Sequence, residues 1–400
     1  MHKLGFVLLS LSITACAADG KDGMQGPEGP AGQAGDTGAT GADGIAGQQG
    51  PAGPQLALPA VYTLTNATAG NQVAAYTRAS NGNLSRKGRF ATGGAGAGAG
   101  LGSQGALVFD AAWQRFFAVN TGDNTISMLA LMPDGSVSTL STIASGGMRP
   151  VSITVHGNVV YVVNQGDING SPVNANISGF QIEGTDLAPI TGSTQPLSGT
   201  GDVHPTDIHF TPDGKYLVVA ERLANKLDTF AVQNGVAQAG NFQTSAGMQP
   251  FAFDFSPEGF LVVAEVGTGG ANGSTASSYA ISSSGALTPI TSALATQQTA
   301  ACWIVAAGGY AYVANAASAN ITGLVVSETG ALTLHESSGI TATTGAGSID
   351  LAVPPDNGYL YALAGNPRQI YTFAIRADGS LDAMPPLPNI AATAAGLIAR

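Results

Sequence analysis

Charge is scarce in this chain. Its 400 residues include only 14 Lys and Arg and 25 Asp and Glu, giving a net charge of −11 and an isoelectric point near 4.7. So few charged residues exclude a coiled coil, whose composition is dominated by Glu, Lys, Arg, Ala and Leu. The acidic balance excludes a phosphate-backbone binder, which needs a basic face, so no nucleic-acid partner is expected. Cysteine occurs twice, at Cys16 and Cys302. Cys302 sits in an apolar run and reads as a small core residue, because a nucleophile would need an activating base. No His and Cys cluster has zinc spacing, so neither a metal nor a cofactor is expected. The glycine-rich stretch 93–105 lacks Gly-Lys-Ser/Thr and a following helix, so it is not a phosphate loop. No Gly-x-Ser-x-Gly elbow is present. What abounds is glycine, 56 residues, alongside a 44% hydrophobic content. That is the composition of a turn-rich β protein with a large core.

The N-terminus reads as an address. Met1, His2 and Lys3 are followed by ten apolar residues, 4–13, about half the roughly 20 that a spanning helix needs. The run ends in Ile13-Thr14-Ala15-Cys16, which resembles a bacterial lipobox. The resemblance implies a signal peptide over 1–15, a lipid on Cys16 and an anchored N-terminus over 16–19. The partner is then a membrane of the bacterial cell envelope. Ala17, rather than Asp, implies the outer membrane. From position 20 to position 53 a glycine falls at every third residue. This Gly-X-Y period resembles collagen, where only Gly fits the axis of three wound chains. A stalk over 20–55 follows. It is either a homotrimer or a single extended tether reaching on the order of 110 Å.

Residues 56–400 repeat. A turn glycine followed two residues later by Leu, Val or a close substitute recurs at Gly82, Gly135, Gly184, Gly235, Gly285, Gly330 and Gly379. A second unit, an apolar strand often led by Pro, also occurs seven times, the last within 394–400. Between them lie VYTLTN, RFFAVN, VYVVN, YLVVAE, FLVVAE, AYVAN and YLYALA. Four short strands in a period near 50 residues describe an all-β, seven-bladed β-propeller. The first repeat lacks its innermost strand, so residues 396–399 are expected to supply it.

The phrases NQVAAYTRASNGNL, FTPDGKYLVVAE and QTAACWIV resemble the seven-bladed lactonase propellers, which include 6-phosphogluconolactonases and carboxymuconate lactonising enzymes. That resemblance implies an imidazole after one leading proline, an Arg-His pair after the next, and a glutamate ending that blade's second strand. Here Thr206 follows Pro205 and Phe251 follows Pro250, while Glu265 matches the glutamate and His204 precedes Pro205. Topology brings the starts of the innermost strands and the ends of the second strands to one channel mouth. His204, Glu221 and Glu265 are therefore the catalytic candidates, with the glutamates as general bases or as plain turn residues. Arg149, Asp207, Trp303 and Asp350 are the ligand-binding candidates. The asparagines Asn66, Asn120, Asn164 and Asn315 read as turn caps. Because the expected His and Arg are replaced, the preferred reading is a surface-displayed propeller that binds a small molecule, glycan or surface protein. The alternative is an exported lactonase or muconate-cyclase-like enzyme.

Overall fold

The computed structural model describes residues 59–166, 175–199 and 201–400. The signal segment, Cys16 and the stalk lie outside the described residues. Every regular element among the described residues is a strand, and the strands form seven antiparallel sheets, the blades of a propeller. The innermost strands of blades two to seven are Leu107–Asp110, Pro150–His156, Pro205–Phe210, Pro250–Phe255, Ala301–Ala307 and Ser348–Ala352. In blade one, Ala395–Ala399 pairs with Ala60–Leu64 and occupies the corresponding place. It also packs against the innermost strands of blades two and seven.

The second strands read as near-continuous apolar runs because both their faces are covered. Val159–Asn164, Tyr216–Glu221 and Tyr310–Asn315 are buried over their last five residues. A sheet sandwiched between neighbours cannot alternate polar and apolar side chains. The outermost strands do face water, and Leu84–Ala91 and Val137–Ala144 are largely exposed.

The repeating glycines close the outer hairpins. All seven have φ between 61° and 84°, the left-handed region where a side chain is strained. Their carbonyls also dock the blades. Tyr161, Tyr312 and Tyr361 donate their hydroxyls to the carbonyls of Gly235, Gly379 and Gly82, and Thr229 and Ser278 donate to Gly285 and Gly330. Each donor lies one blade before its acceptor. The bond from Tyr361 to Gly82 therefore joins blade seven to blade one.

Leu397 is buried against Val61, Tyr361 and Leu363. Its burial contributes about 2–3 kcal/mol, and Ala395–Ala399 covers the edge of Ala60–Leu64. Deleting residues 394–400 is expected to lower the melting temperature and cause aggregation through the bared sheet edges. Thermal unfolding with light scattering checks this, and a soluble truncated chain with unchanged melting would contradict it.

Candidate functional site

In blades two to five the residue ending the second strand anchors the loop that leads into its own blade. Asn120 accepts from Thr92 at 2.7 Å and donates to Thr125 and Ser127. Asn164 donates to the Ser145 carbonyl. Glu221 accepts the Ser198 amide at 2.8 Å and the Ser198 hydroxyl. Glu265 accepts Ser245 Oγ at 3.1 Å, the Gly247 amide at 2.9 Å and Thr275 Oγ1 at 2.5 Å. A Cβ at position 247 would collide with the Glu265 carboxylate, so the loop approaches this closely only as glycine. These side chains are fully buried. They reach across to another segment, which a local turn cap does not.

Glu221 and Glu265 thus stand at the ends of adjacent second strands, paired with Pro205 and Pro250, but inside the walls. Burial raises the Glu265 pKa, opposed by its hydroxyl and amide donors. The carboxyl facing Glu221 is that of Asp228, in its own blade. Asn120 donates to Ser127 and Asn315 to Thr322, in each case a residue seven further on. Asp228 occupies the same spacing from Glu221, and neither of its carboxyl oxygens has an N–H or O–H donor. Two carboxyls can share a hydrogen bond only while one holds a proton. Burial, then Glu221, pushes the Asp228 pKa up to about 10.

The channel mouth where the innermost strands begin carries a basic group. Arg149 and His204 each precede a proline and hold φ of 56° and 51°. A following proline disfavours the helical region, and a left-handed non-glycine residue costs of order 1–3 kcal/mol. The fold enforces the geometry by hydrogen bonds. The Arg149 amide donates to Asn124 Oδ1 at 2.8 Å, and the Arg222 and Leu223 amides donate to the carbonyls of His204 and Val203. His204 and Arg222 are therefore adjacent. The His204 pKa is lowered by burial first, then by the Arg222 charge, with Arg149 adding to it and Asp202 opposing it. Asp202 Oδ1 lies 3.7 Å from His204 Nδ1. The Nε atoms of both Arg149 and Arg222 are buried and make no hydrogen bond. The site thus sets an imidazole of lowered pKa beside two arginines whose Nε atoms make no hydrogen bond.

Elsewhere around the channel, where the innermost strands of blades six, seven and one begin, lies a cavity of about 290 Å³ walled by Leu101, Ser103, Trp303 and Ile349. The glycine-rich stretch ends here by crossing the channel. Gln104 exchanges two hydrogen bonds with the backbone of Ile304, at 2.9 and 3.0 Å, and Trp303 Nε1 donates to the Ser103 carbonyl. Gly105 has φ of 74°, and a Cβ there would press on Ser152 and Asp207. The crossing divides the channel. Trp303 stands on the mouth side and Asp350 lines a separate cavity beyond it, while Asp207 is fully buried under Ser152 and the Phe253 amide. Thr206 fills the position where an imidazole was implied, is buried, and donates to the Phe251 carbonyl. Phe251 packs edge-on against Trp303 at 4.9 Å. Cys302 is buried, and desolvation pushes its thiol up to about 12, so it is inert. The pairing of Glu221 with Asp228 and the crossing by Gln104 carry no local sequence signal.

Residues 173–305 match the family described as Lactonase, 7-bladed beta-propeller. A 6-phosphogluconolactonase of Yersinia pestis is 29% identical over 130 residues, which are 31% of this chain and 36% of that protein. The match therefore spans about a third of the relative's length. A Bacteroides uniformis structure provisionally assigned as a 6-phosphogluconolactonase is 18% identical, with a TM-score of 0.67 over 86% of this chain and 99% of that one. The periplasmic gluconolactonase of Pseudomonas aeruginosa is also 18% identical, with a TM-score of 0.64 over 84% and 98%. The two structures share the fold.

The Glu221 and Asp228 pair has a measurable consequence. A carboxyl whose pKa is raised on folding binds its proton more tightly when folded, so its contribution to stability falls as pH rises from about 4 towards 10. Asp228→Asn keeps a hydrogen bond to Glu221 without needing that proton. The variant's unfolding free energy is expected to fall less between pH 6 and pH 9 than that of the unaltered chain, by about 1.4 kcal/mol for each pH unit over which the Asp228 proton is held only in the folded state. Parallel pH profiles for the two proteins would contradict the shared proton.

Proposed function

We propose that this propeller is a lactone hydrolase working at the mouth bounded by Arg149, His204 and Arg222. The observation that carries the reading is the pair of unpartnered guanidinium Nε atoms beside a half-buried imidazole whose pKa is lowered. The resemblance of residues 173–305 to lactonase propellers supports it further and favours this reading over a displayed binding module. In the proposed reaction His204 takes a proton from water as the oxygen attacks the lactone carbonyl. Asp202 steadies the imidazole from its Nδ1 side. Arg149 and Arg222 stabilise the oxyanion as it forms. Collapse of the tetrahedral intermediate breaks the ring C–O bond, and the imidazolium returns its proton to the departing alkoxide. The product is an open-chain hydroxy acid. Glu221 and Glu265 hold the mouth loops and take no part in the proton transfers.

The same proposal includes location. The lipobox-like sequence supports a lipid on Cys16 and an outer-membrane site, with residues 20–55 holding the enzyme away from the bilayer. Loss of palmitate-analogue labelling in Cys16→Ser is the expected result, and unchanged labelling would contradict the anchor.

Turnover of glucono-δ-lactone by the full chain tests the chemistry. His204→Gln is expected to lower kcat/KM by about 10²–10⁴, and Arg222→Gln by about 10²–10³. Activity is expected to fall in acid as His204 becomes protonated, with a midpoint below the ordinary 6.5 of histidine. Glu265→Gln is expected to lower the melting temperature while kcat changes less than tenfold. Turnover no faster than the buffer's would contradict the proposal, as would a His204→Gln variant of full activity.

A further inference from the structure

Beyond the crossing made by Gln104, the channel holds a second cavity of about 190 Å³, partly open to solvent. It lies along the later halves of the innermost strands. Leu107, Val305, Leu351 and Val353 give it hydrocarbon walls, and Asp350 and His209 are its ionisable lining groups. Neither Lys nor Arg lines it.

Asp350 is only 2% exposed. Its Oδ1 accepts the Leu351 amide at 2.8 Å, whereas Oδ2 makes no hydrogen bond, although the Leu397 amide faces the same carboxyl. A buried acceptor left unpaired costs about 1–3 kcal/mol, and in a native structure it calls for an explanation. Burial, followed by the negative charge of Asp207, holds the Asp350 pKa well above the usual carboxylate range. With nothing bound it therefore keeps its proton. Two more carboxyls stand close by, the fully buried Asp207 and the half-buried Asp254. Asp207 Oδ1 lies 3.3 Å from His209 Nε2, and the charge of His209 also reaches Asp254. With Asp350 protonated, the Asp207 and Asp254 carboxyls still outnumber the His209 imidazole, so the local field is negative.

We infer that this cavity binds a small aliphatic ammonium ion, its N–H groups on Asp350 Oδ2 and its alkyl body against Leu107, Val305, Leu351 and Val353. Asp350 Oδ2 becomes an acceptor once the carboxyl gives up its proton, the walls are apolar and the field has the sign that draws a cation. An anion is repelled. A neutral alcohol gains the hydrocarbon contact but not the charge. A bare metal ion finds too few ligands, because among the described residues no three of His, Cys, Asp or Glu are grouped to hold one. An ammonium ion brings its own hydrogen-bond donors. As a guide to size, a cavity of about 150 Å³ accepts benzene, so this one suits a chain of about four to six carbons. The site lies across the crossing from Arg149, His204 and Arg222, and it stands independently of lactone hydrolysis.

Calorimetric titration of the full chain with n-butylammonium chloride tests the inference, with n-butanol, butyrate, potassium and calcium titrated in parallel. Butylammonium is expected to bind and to release the Asp350 proton, seen as a heat that varies with the buffer's ionisation enthalpy. Asp350→Asn is expected to weaken binding at least tenfold. Val353→Phe, which fills the cavity and leaves every carboxyl in place, is expected to abolish it, with folding of both variants checked by circular dichroism. If Asp350→Asn does not fold, Val353→Phe decides. Absence of butylammonium binding would overturn the inference. So would equal affinity for butanol or butyrate, preference for either metal ion, or unchanged affinity in a folded variant.

Discussion

A buried polar side chain at the end of a second strand, reaching over to hold the loop that leads into the same blade, is the interaction on which the channel mouth depends. Loops crossing from blade to blade carry backbone groups that a sheet cannot satisfy, and burying them unpaired is costly. Asn120, Asn164, Glu221 and Glu265 supply the partners from within the wall. An asparagine can accept from the loop, as Asn120 does from Thr92, or donate to it, as Asn164 does to the Ser145 carbonyl. A glutamate serves where it offers donors, as Ser245, Gly247 and Thr275 do around Glu265. Glu221 is the instructive departure, because its second partner, Asp228, is also an acid.

With the loops held this way, the residues just before the innermost strands are forced into unusual backbone geometry and aimed at the mouth. Arg149, His204 and Gln249 share the left-handed conformation in three successive blades. Such strain persists only where the surroundings over-determine it. Here the Asn124 and Asn225 side chains bind the amides of Arg149 and Gln249 from the preceding blade's loop. The mouth thereby gains fixed guanidinium and imidazole groups on a rigid scaffold. The crossing at Ser103 and Gln104 separates that mouth from the acidic half of the channel.

The blade architecture was legible because each period repeats the same physical demands. A left-handed turn needs glycine, so Gly82 through Gly379 mark the outer hairpins. A strand covered on both faces needs an unbroken apolar run, so VYVVN and YLVVAE stand out. The chemistry of the mouth was less legible. Glu221 and Glu265 end their strands as expected, but sequence does not say whether a carboxylate points to the channel or into the wall. Asp207 and Asp350 were grouped with Arg149 and Trp303 because their strands converge, whereas Gln104 crosses between the mouth and the Asp350 cavity. That crossing joins residues 200 positions apart, a separation over which no spacing pattern survives. Arg222 gained its place from the backbone bond to His204, which follows only from the pairing of their two strands.

The central claim is that His204 is a neutral imidazole flanked by two arginines that await an anion. Titrating the His204 ring by NMR, with and without gluconate, tests it most directly. The account predicts a pKa below the ordinary histidine value in the free protein and an upward shift when gluconate neutralises Arg149 and Arg222. A His204 resonance that titrates identically in both conditions would contradict it.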